Sequence, residues 1–338
     1  MPLLSDLTTL RLGGPARDYV EAFDADAIVT AVRAAARPVL VLAGGSNLVV
    51  ADAGFDGTVV HVRSRGIAQA GACLTVAAGE PWDALVAVCV ADGLAGVECL
   101  SGIPGSTGAT PIQNVGAYGQ EVAQTITSVR VFDREADEVL DVAAADCGFG
   151  YRASRFKYRD RWVVLSVTFA LRGSAESEPV RYAELASVLG VDVGATAPLA
   201  AVRDAVLELR RGKGMVVDPV DPDSVSAGSF FTNPILRPGE FERLVERAAP
   251  ERPPAWPEAD GRVKTSAAWL IGGAGFQRGH AHGRAAISAK HTLALTNRGG
   301  ATTDELLALA REVRDGVRAR FGVDLHPEPV LVGATLEA

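Results

Sequence analysis

Long apolar runs are missing from this 338-residue sequence. The longest, such as Val39–Val50, are broken by Gly44-Gly45 and Asn47, short of the roughly 18 apolar residues a spanning helix needs. No membrane insertion is therefore expected. Met1–Leu10 has no charged segment leading into an apolar one, so no export signal is read there. Cysteine is scarce too: Cys73, Cys89, Cys99 and Cys147 form no CxxC pair, which removes the usual zinc and iron–sulfur spacings. They read as small buried hydrophobes of a reducing cytoplasm, where the chain is expected to work. A basic excess is absent, with 33 Lys and Arg against 41 Asp and Glu, net charge −8. That sign opposes nucleic acid or an anionic membrane as the main partner. GxGxxG and GxxxxGK[ST] are absent as well; the near-match Gly273-Ala274-Gly275 to Gly279 follows a helical pattern and has the wrong spacing. A Rossmann site and a P-loop thus lack their signatures.

What is present is a globular composition, 48% hydrophobic and 22% charged, long enough for about two domains. Apolar residues recur at helical spacing from Asp24 to Ala36, and Pro38–Leu42 follows as a short buried strand. Thr58–Val62 and Leu74–Ala78 read as strands, and Pro81 opens a helix to about Ala91. Thr127–Phe132 and Glu138–Val142 read as a hairpin, and Trp162–Leu171 as a long strand. A helix at Pro198–Arg211 precedes the turn-rich Asp218–Asp223, and a boundary is placed between about Leu199 and Asp223. Beyond it come an extended Ser229-Phe230-Phe231, helices near Pro238–Ala249 and Thr265–Ile271, a strand at Thr292–Thr296, and a last helix. That helix opens with Thr302 and Glu305 as a capping box. The order is mixed rather than strictly alternating, so the fold class is α+β.

Two glycine-rich loops carry the chemistry. Ala43-Gly44-Gly45-Ser46-Asn47-Leu48 directly follows a strand, where clustered backbone N–H groups approach a phosphate that bulky side chains would exclude. Alone, such a Gly-Gly is more often an ordinary tight turn. Ser101–Gly119 is more informative. Gly102, Gly105 and Gly108 stand at every third position and allow close backbone approach. Ser101, Ser106, Thr107 and Thr110 offer hydroxyls; Ile103 and Ile112 supply apolar anchors that argue against disorder. Gln113 and Asn114 offer amides that suit a planar heterocycle. A large dinucleotide lying across both loops is one reading; a long surface crossover is the other.

Four motifs occur in order: Gly44-Gly45-Ser46-Asn47; Leu100 through Gly119; Tyr151-Arg152-Ala153-Ser154-Arg155-Phe156-Lys157; and Gly228-Ser229-Phe230-Phe231-Thr232-Asn233-Pro234. Together they resemble the UDP-N-acetylenolpyruvoylglucosamine reductase family of bacterial peptidoglycan synthesis, from about Leu10 to Val332. The resemblance implies a vanillyl-alcohol-oxidase-type FAD-binding fold of two α+β lobes, with a smaller α+β domain closing over the substrate. It places the lobes at about 1–63 and 64–200, with the FAD-binding fold at roughly 11–175 overall. The substrate domain follows at 201–325 and a returning tail at 326–338. It further implies FAD on both loops, including Pro104, Ala109, Gly116, Ala117 and Tyr118. Because Ala43–Leu48 contains neither His nor Cys, that FAD is expected to be non-covalent. NADPH is the implied hydride donor, taking turns in one cleft with UDP-N-acetylglucosamine enolpyruvate, which becomes UDP-N-acetylmuramate.

Such a reduction needs a hydride at the terminal alkene carbon, a partner for the charge that builds on the pyruvyl carboxylate, and a proton for the other carbon. Arg152, in the matched motif, suits the carboxylate because a guanidinium offers paired donors. Ser229 matches the proton donor, and the resemblance implies that Glu328, between Pro327 and Pro329, supports the enolate or supplies its proton. Tyr182, Lys213 and Asn233 match substrate-binding positions, Lys213 towards the diphosphate. Arg155 and Lys157 read as surface or supporting charges, and His326 as a partner of Glu328. His280 and His282 form an HxH pair with no third ligand nearby, so no metal is expected. Two other readings stay open: an FAD oxidase or dehydrogenase of a sugar or hydroxy acid on the same fold, and a nucleotide-binding module without chemistry.

Overall fold

The helical spacing after Asp24 becomes α1 (Ala25–Ala34) in the computed structural model, which describes residues 2–337. Asp24 starts it by accepting a hydrogen bond from the Ala27 N–H at 2.7 Å. Ile28, Val29 and Val32 are its buried face. They join the core beside a three-stranded parallel sheet in the order Ala16–Ala22, Phe55–Val62, Val39–Leu42. The strand Ala16–Ala22 was not expected. It buries only its two ends, so no alternation marks it in the sequence.

The same unit contains a five-stranded antiparallel sheet ordered Glu138–Ala143, Ile126–Asp133, Trp162–Ala170, Cys73–Ala77, Ile67–Ala70. The expected long strand lies at its centre, and the expected hairpin pairs beside it with Glu138–Ala143 as an edge strand. Asp133 closes the hairpin turn by accepting the Glu135 and Ala136 N–H groups and the Arg161 guanidinium. Three helices follow in this unit: α2 (Trp82–Ala91), α3 (Ala183–Leu189) and α4 (Leu199–Gly212). Leu185 and Ala186 of α3 and Val202, Ala205 and Val206 of α4 form a satellite core with Cys99 and Val180. Cys89, Cys99 and Cys147 are buried, and burial raises their thiols above the ordinary range. Cys73 departs from the expectation: it opens its strand on the exposed side, where its alternation partners face solvent.

The chain divides into two units. The first consists mainly of Ala16–Gly45 and Phe55–Val216; the second gathers Leu3–Pro15, Ser46–Gly54 and the chain from Val217 on. In the second unit a four-stranded antiparallel sheet runs Ser226–Ser229, Ala294–Asn297, Ala285–Ile287, Ala281–His282. Its helices are α5 (Pro238–Ala248), α6 (Ala267–Gly273) and α7 (Thr303–Phe321). The expected capping box is formed: Thr302 Oγ1 accepts from the Glu305 N–H at 3.1 Å, and the Glu305 carboxylate from the Thr302 N–H at 2.9 Å. Leu306, Ala310, Val313, Val317 and Phe321 are buried along α7, as their spacing predicts. The early segments enter this same core through Leu10, Leu12 and Val49. Asn297 holds the first of them by donating to the Leu10 and Arg11 carbonyls at 3.1 and 3.3 Å. The strand Leu48–Val50 pairs in parallel with Val330–Val332 near the end of the chain.

Among the described residues no helix is long and apolar enough to cross a membrane. His280 and His282 do not face one another across a metal site; both turn to Glu312 of α7, at 2.9 and 3.7 Å. No group of three or more His, Cys, Asp or Glu is placed to hold a metal among the described residues.

Candidate active site

Within the first unit the two glycine loops meet backbone to backbone. A Cβ at Gly44 would lie 2.6 Å from the Gly105 Cα, closer than any real Cβ contact allows. Gly45 follows in the left-handed region, φ +55, which favours glycine. The second loop is strung along the approach to α2. Its Gly105 carbonyl accepts from the Trp82 N–H at 3.0 Å, and the Thr107 and Gly108 N–H groups donate to the Glu80 and Ala78 carbonyls, each at 2.8 Å. Gly108 is again a close approach, since a Cβ there would lie 2.5 Å from that of Ala78.

Several groups read in the sequence as ligand-facing are used by the loop itself. The Gly102 N–H donates to Asp83 at 2.6 Å, and Asp83 is gripped by Arg203 through two bonds of 2.7 and 2.9 Å. Ser101 and Thr110 donate to the Glu98 and Thr107 carbonyls. Asn114, with φ +46, spends its amide on Glu121, the Gly150 carbonyl and the Ala123 N–H. Ser106 is different: its Oγ is buried without a hydrogen-bond partner, an arrangement that costs free energy unless a ligand completes it. Glu98 escaped the sequence reading, and its only signal was an acid in the apolar run Leu94–Leu100. It is fully buried and accepts from the Gly96 N–H, the Gln120 amide and the Glu178 N–H. One carboxylate thus joins both ends of the loop to the segment that leads to Tyr182.

Arg152 sits at the far end of this loop. Its backbone is left-handed, φ +50, and its Nη2 donates to the Gly116 carbonyl at 2.7 Å. The guanidinium lies over the Tyr151 ring, 5.3 Å from its centre. Lys157, read as a peripheral charge, donates to the Arg152 carbonyl at 3.0 Å, and Ser154 Oγ donates to that of Ile112 at 2.6 Å. The whole motif is therefore stapled to the second glycine loop. Holding a non-glycine residue at positive φ stores strain that the surroundings must support, and these bonds supply the support.

Tyr118, Tyr182 and Lys213 are brought together in the same unit. The Tyr118 and Tyr182 rings meet edge to face at 5.5 Å, and Lys213 Nζ stands 5.6 Å from the Tyr118 ring centre. Burial pushes the Tyr118 hydroxyl up to about 12. Arg210 is buried, and burial lowers it to about 10 against the pull of Tyr118 and Asp83.

In the second unit Ser229 and Glu328 fall on adjacent antiparallel segments. The Glu328 N–H donates to the Phe230 carbonyl at 2.8 Å and the Thr232 N–H to that of His326 at 3.1 Å, with Phe231 bridged to Pro327. His326 thus contributes its backbone, while its side chain is exposed. Asn47 ties in the first glycine motif: its carbonyl accepts from the Val330 N–H at 3.0 Å, and its Nδ2 donates to the Glu328 carbonyl at 3.4 Å. Leu48 stands opposite Val330 in the parallel ladder. Asn233 turns its Oδ1 to the Ala267 N–H at 3.0 Å, where it helps to open α6.

The model of the UDP-N-acetylenolpyruvoylglucosamine reductase C-terminal domain matches residues 219–332. That of an FAD binding domain matches residues 17–142. UDP-N-acetylenolpyruvoylglucosamine reductase of Thermobifida fusca is 59% identical, covering 98% of this chain and 97% of its own length. The enzyme of the same name from Salinispora arenicola is 60% identical, over 98% and 95%. The crystal structure of UDP-N-acetylenolpyruvylglucosamine reductase from Thermus caldophilus is 26% identical and superposes with a TM-score of 0.69 over 98% of this chain and 97% of that one. The chain belongs to the UDP-N-acetylenolpyruvoylglucosamine reductase family.

Proposed function

We infer that this chain is the FAD-dependent enzyme that reduces UDP-N-acetylglucosamine enolpyruvate to UDP-N-acetylmuramate with electrons from NADPH, a step of peptidoglycan precursor synthesis. The observation that carries this reading is near-full-length identity of 59% to a reductase of that name. The residues fit the cofactor: Gly44 packs directly on the Gly105 backbone, where a Cβ on Gly44 would collide, and Ser106 presents a buried, unpartnered hydroxyl beside them. Ala43–Gly45 and the loop from Ser101 to Tyr118 would hold it. When bound, FAD supplies the hydride for the alkene.

The protein's own residues then have three tasks. Arg152 pairs its guanidinium with the pyruvyl carboxylate and steadies the charge that develops there in the transition state. Its backbone, braced by Gly116 and Lys157, keeps that fork from turning away. Ser229 donates its hydroxyl proton to the carbon next to the carboxylate. The alkoxide so formed is a strong base, and Glu328 on the neighbouring segment supports its reprotonation through water. Tyr182, Lys213 and Asn233 hold the UDP-sugar, which alternates with NADPH in one cleft.

The half-reactions test this separately. Ser229→Ala should leave reduction of the flavin by NADPH within about tenfold of the parent, while reoxidation by the enolpyruvyl substrate slows by about 10² to 10⁴. Arg152→Lys should impair the same half by losing the bidentate hold. Stopped-flow absorbance reads each half, and equal slowing of both in Ser229→Ala would remove Ser229 from the chemistry.

A further inference from the structure

Lys213 closes the C-terminal end of α4, and Glu184 lies in the first turn of α3, two residues after Tyr182. The Lys213 Nζ is 2.6 Å from Glu184 Oε2, and both side chains are partly open to solvent, 31% and 42%. The ammonium also faces the Tyr118 ring, which meets Tyr182 edge-on. Arg210, about one turn earlier on α4, is buried and donates to the Met215 carbonyl. Lys213, by contrast, stands at the surface with a carboxylate already on it.

We propose that Glu184 is a positioning residue that holds Lys213 as a neutralised pair until the diphosphate of the UDP-sugar takes the lysine over, so that Glu184 tunes substrate affinity and its dependence on salt. This rests on the reading of Lys213 as a diphosphate ligand. An ion pair so exposed contributes little stability, and a diphosphate with its multiple charges competes successfully with one carboxylate for an ammonium. While the pair is closed, it presents no net charge to an approaching anion. To take the lysine over, the diphosphate must first break its pair with Glu184, and that competition lowers its affinity. Removing the Glu184 charge leaves a net positive site, whose attraction falls as ionic strength rises.

The test titrates FAD-loaded protein with UDP-N-acetylglucosamine enolpyruvate, without NADPH, following flavin absorbance at low and high salt. Glu184→Gln should bind about two- to fivefold more tightly than the parent at low salt, with a steeper loss as salt rises. Glu184→Asp should restore parental behaviour. Lys213→Met should weaken binding, and the double variant should match Lys213→Met alone, because Glu184 acts only through the lysine. If Lys213→Met weakens binding but Glu184→Gln is unchanged or weaker, Glu184 has been misassigned while Lys213 stands. If Lys213→Met binds like the parent at every salt, the diphosphate reading of Lys213 fails and takes this proposal with it.

Discussion

A single methyl group at Gly44 is enough to separate the two glycine loops. Its Cβ would sit 2.6 Å from a backbone atom of Gly105, and backbone cannot rotate aside as the tip of a side chain does. Gly44→Ala is therefore expected to raise the dissociation constant for FAD about tenfold or more, measured by titrating deflavinated protein. An unchanged constant would place the cofactor elsewhere. Residues of this kind were legible in the sequence because an empty side chain is itself the signal. What individual polar groups do was less legible. The sequence offers Asn114 as a reader of a heterocycle, yet the structure saturates its amide. The four hydroxyls of the loop look alike in the sequence, but only Ser106 among them keeps an unpartnered buried oxygen.

At the scale of elements, α2 and α4 are tied to the second glycine loop through one carboxylate. Asp83, near the start of α2, accepts the Gly102 N–H while Arg203 of α4 holds it with both guanidinium arms. Burial pushes the Asp83 carboxyl up, but the Arg203 and Gly102 hydrogen bonds outweigh it and hold the group below its ordinary value. Its contribution is thus complete above the ordinary carboxylate range and is lost as pH falls through the lowered value. Asp83→Ala should loosen FAD binding and flatten the acid side of its pH profile, with Asp83→Asn milder because its amide oxygen still accepts from Gly102. Fluorescence of released flavin across pH measures both, and a parental profile in Asp83→Ala would refute the tie. Elements with strong local signals were read well, α7 above all, through its cap and its apolar period. Ala16–Ala22 was missed because its middle is exposed. The pairing of Ser229's strand with the Glu328 segment was out of reach, since its Thr232 to His326 contact joins residues 94 apart and nothing local encodes it.

For the molecule as a whole, the second unit is not a contiguous stretch. Leu10 and Val49 are fully buried in its core, and Leu12 nearly so. Leu10→Ala should therefore destabilise that unit by about 2–5 kcal/mol, the usual range for emptying a buried leucine site. A fragment of residues 219–332, the stretch that matches the family's C-terminal domain, should show no cooperative thermal transition by circular dichroism. A sharp transition in that fragment would mean that the early segments decorate the core without completing it.

The tie between Asn47 and Glu328, 281 residues apart, carries a consequence for synthesis. At about 5–20 residues per second, the strand Leu48–Val50 leaves the ribosome roughly 15–60 s before Val330–Val332 exists to pair with it. For that interval the apolar side chains of Leu10, Leu12 and Val49 have no finished core to enter, whatever the first unit has already done. The nascent chain must carry them as exposed, adhesive surface, and the last strand to be translated is the one that lets them be put away.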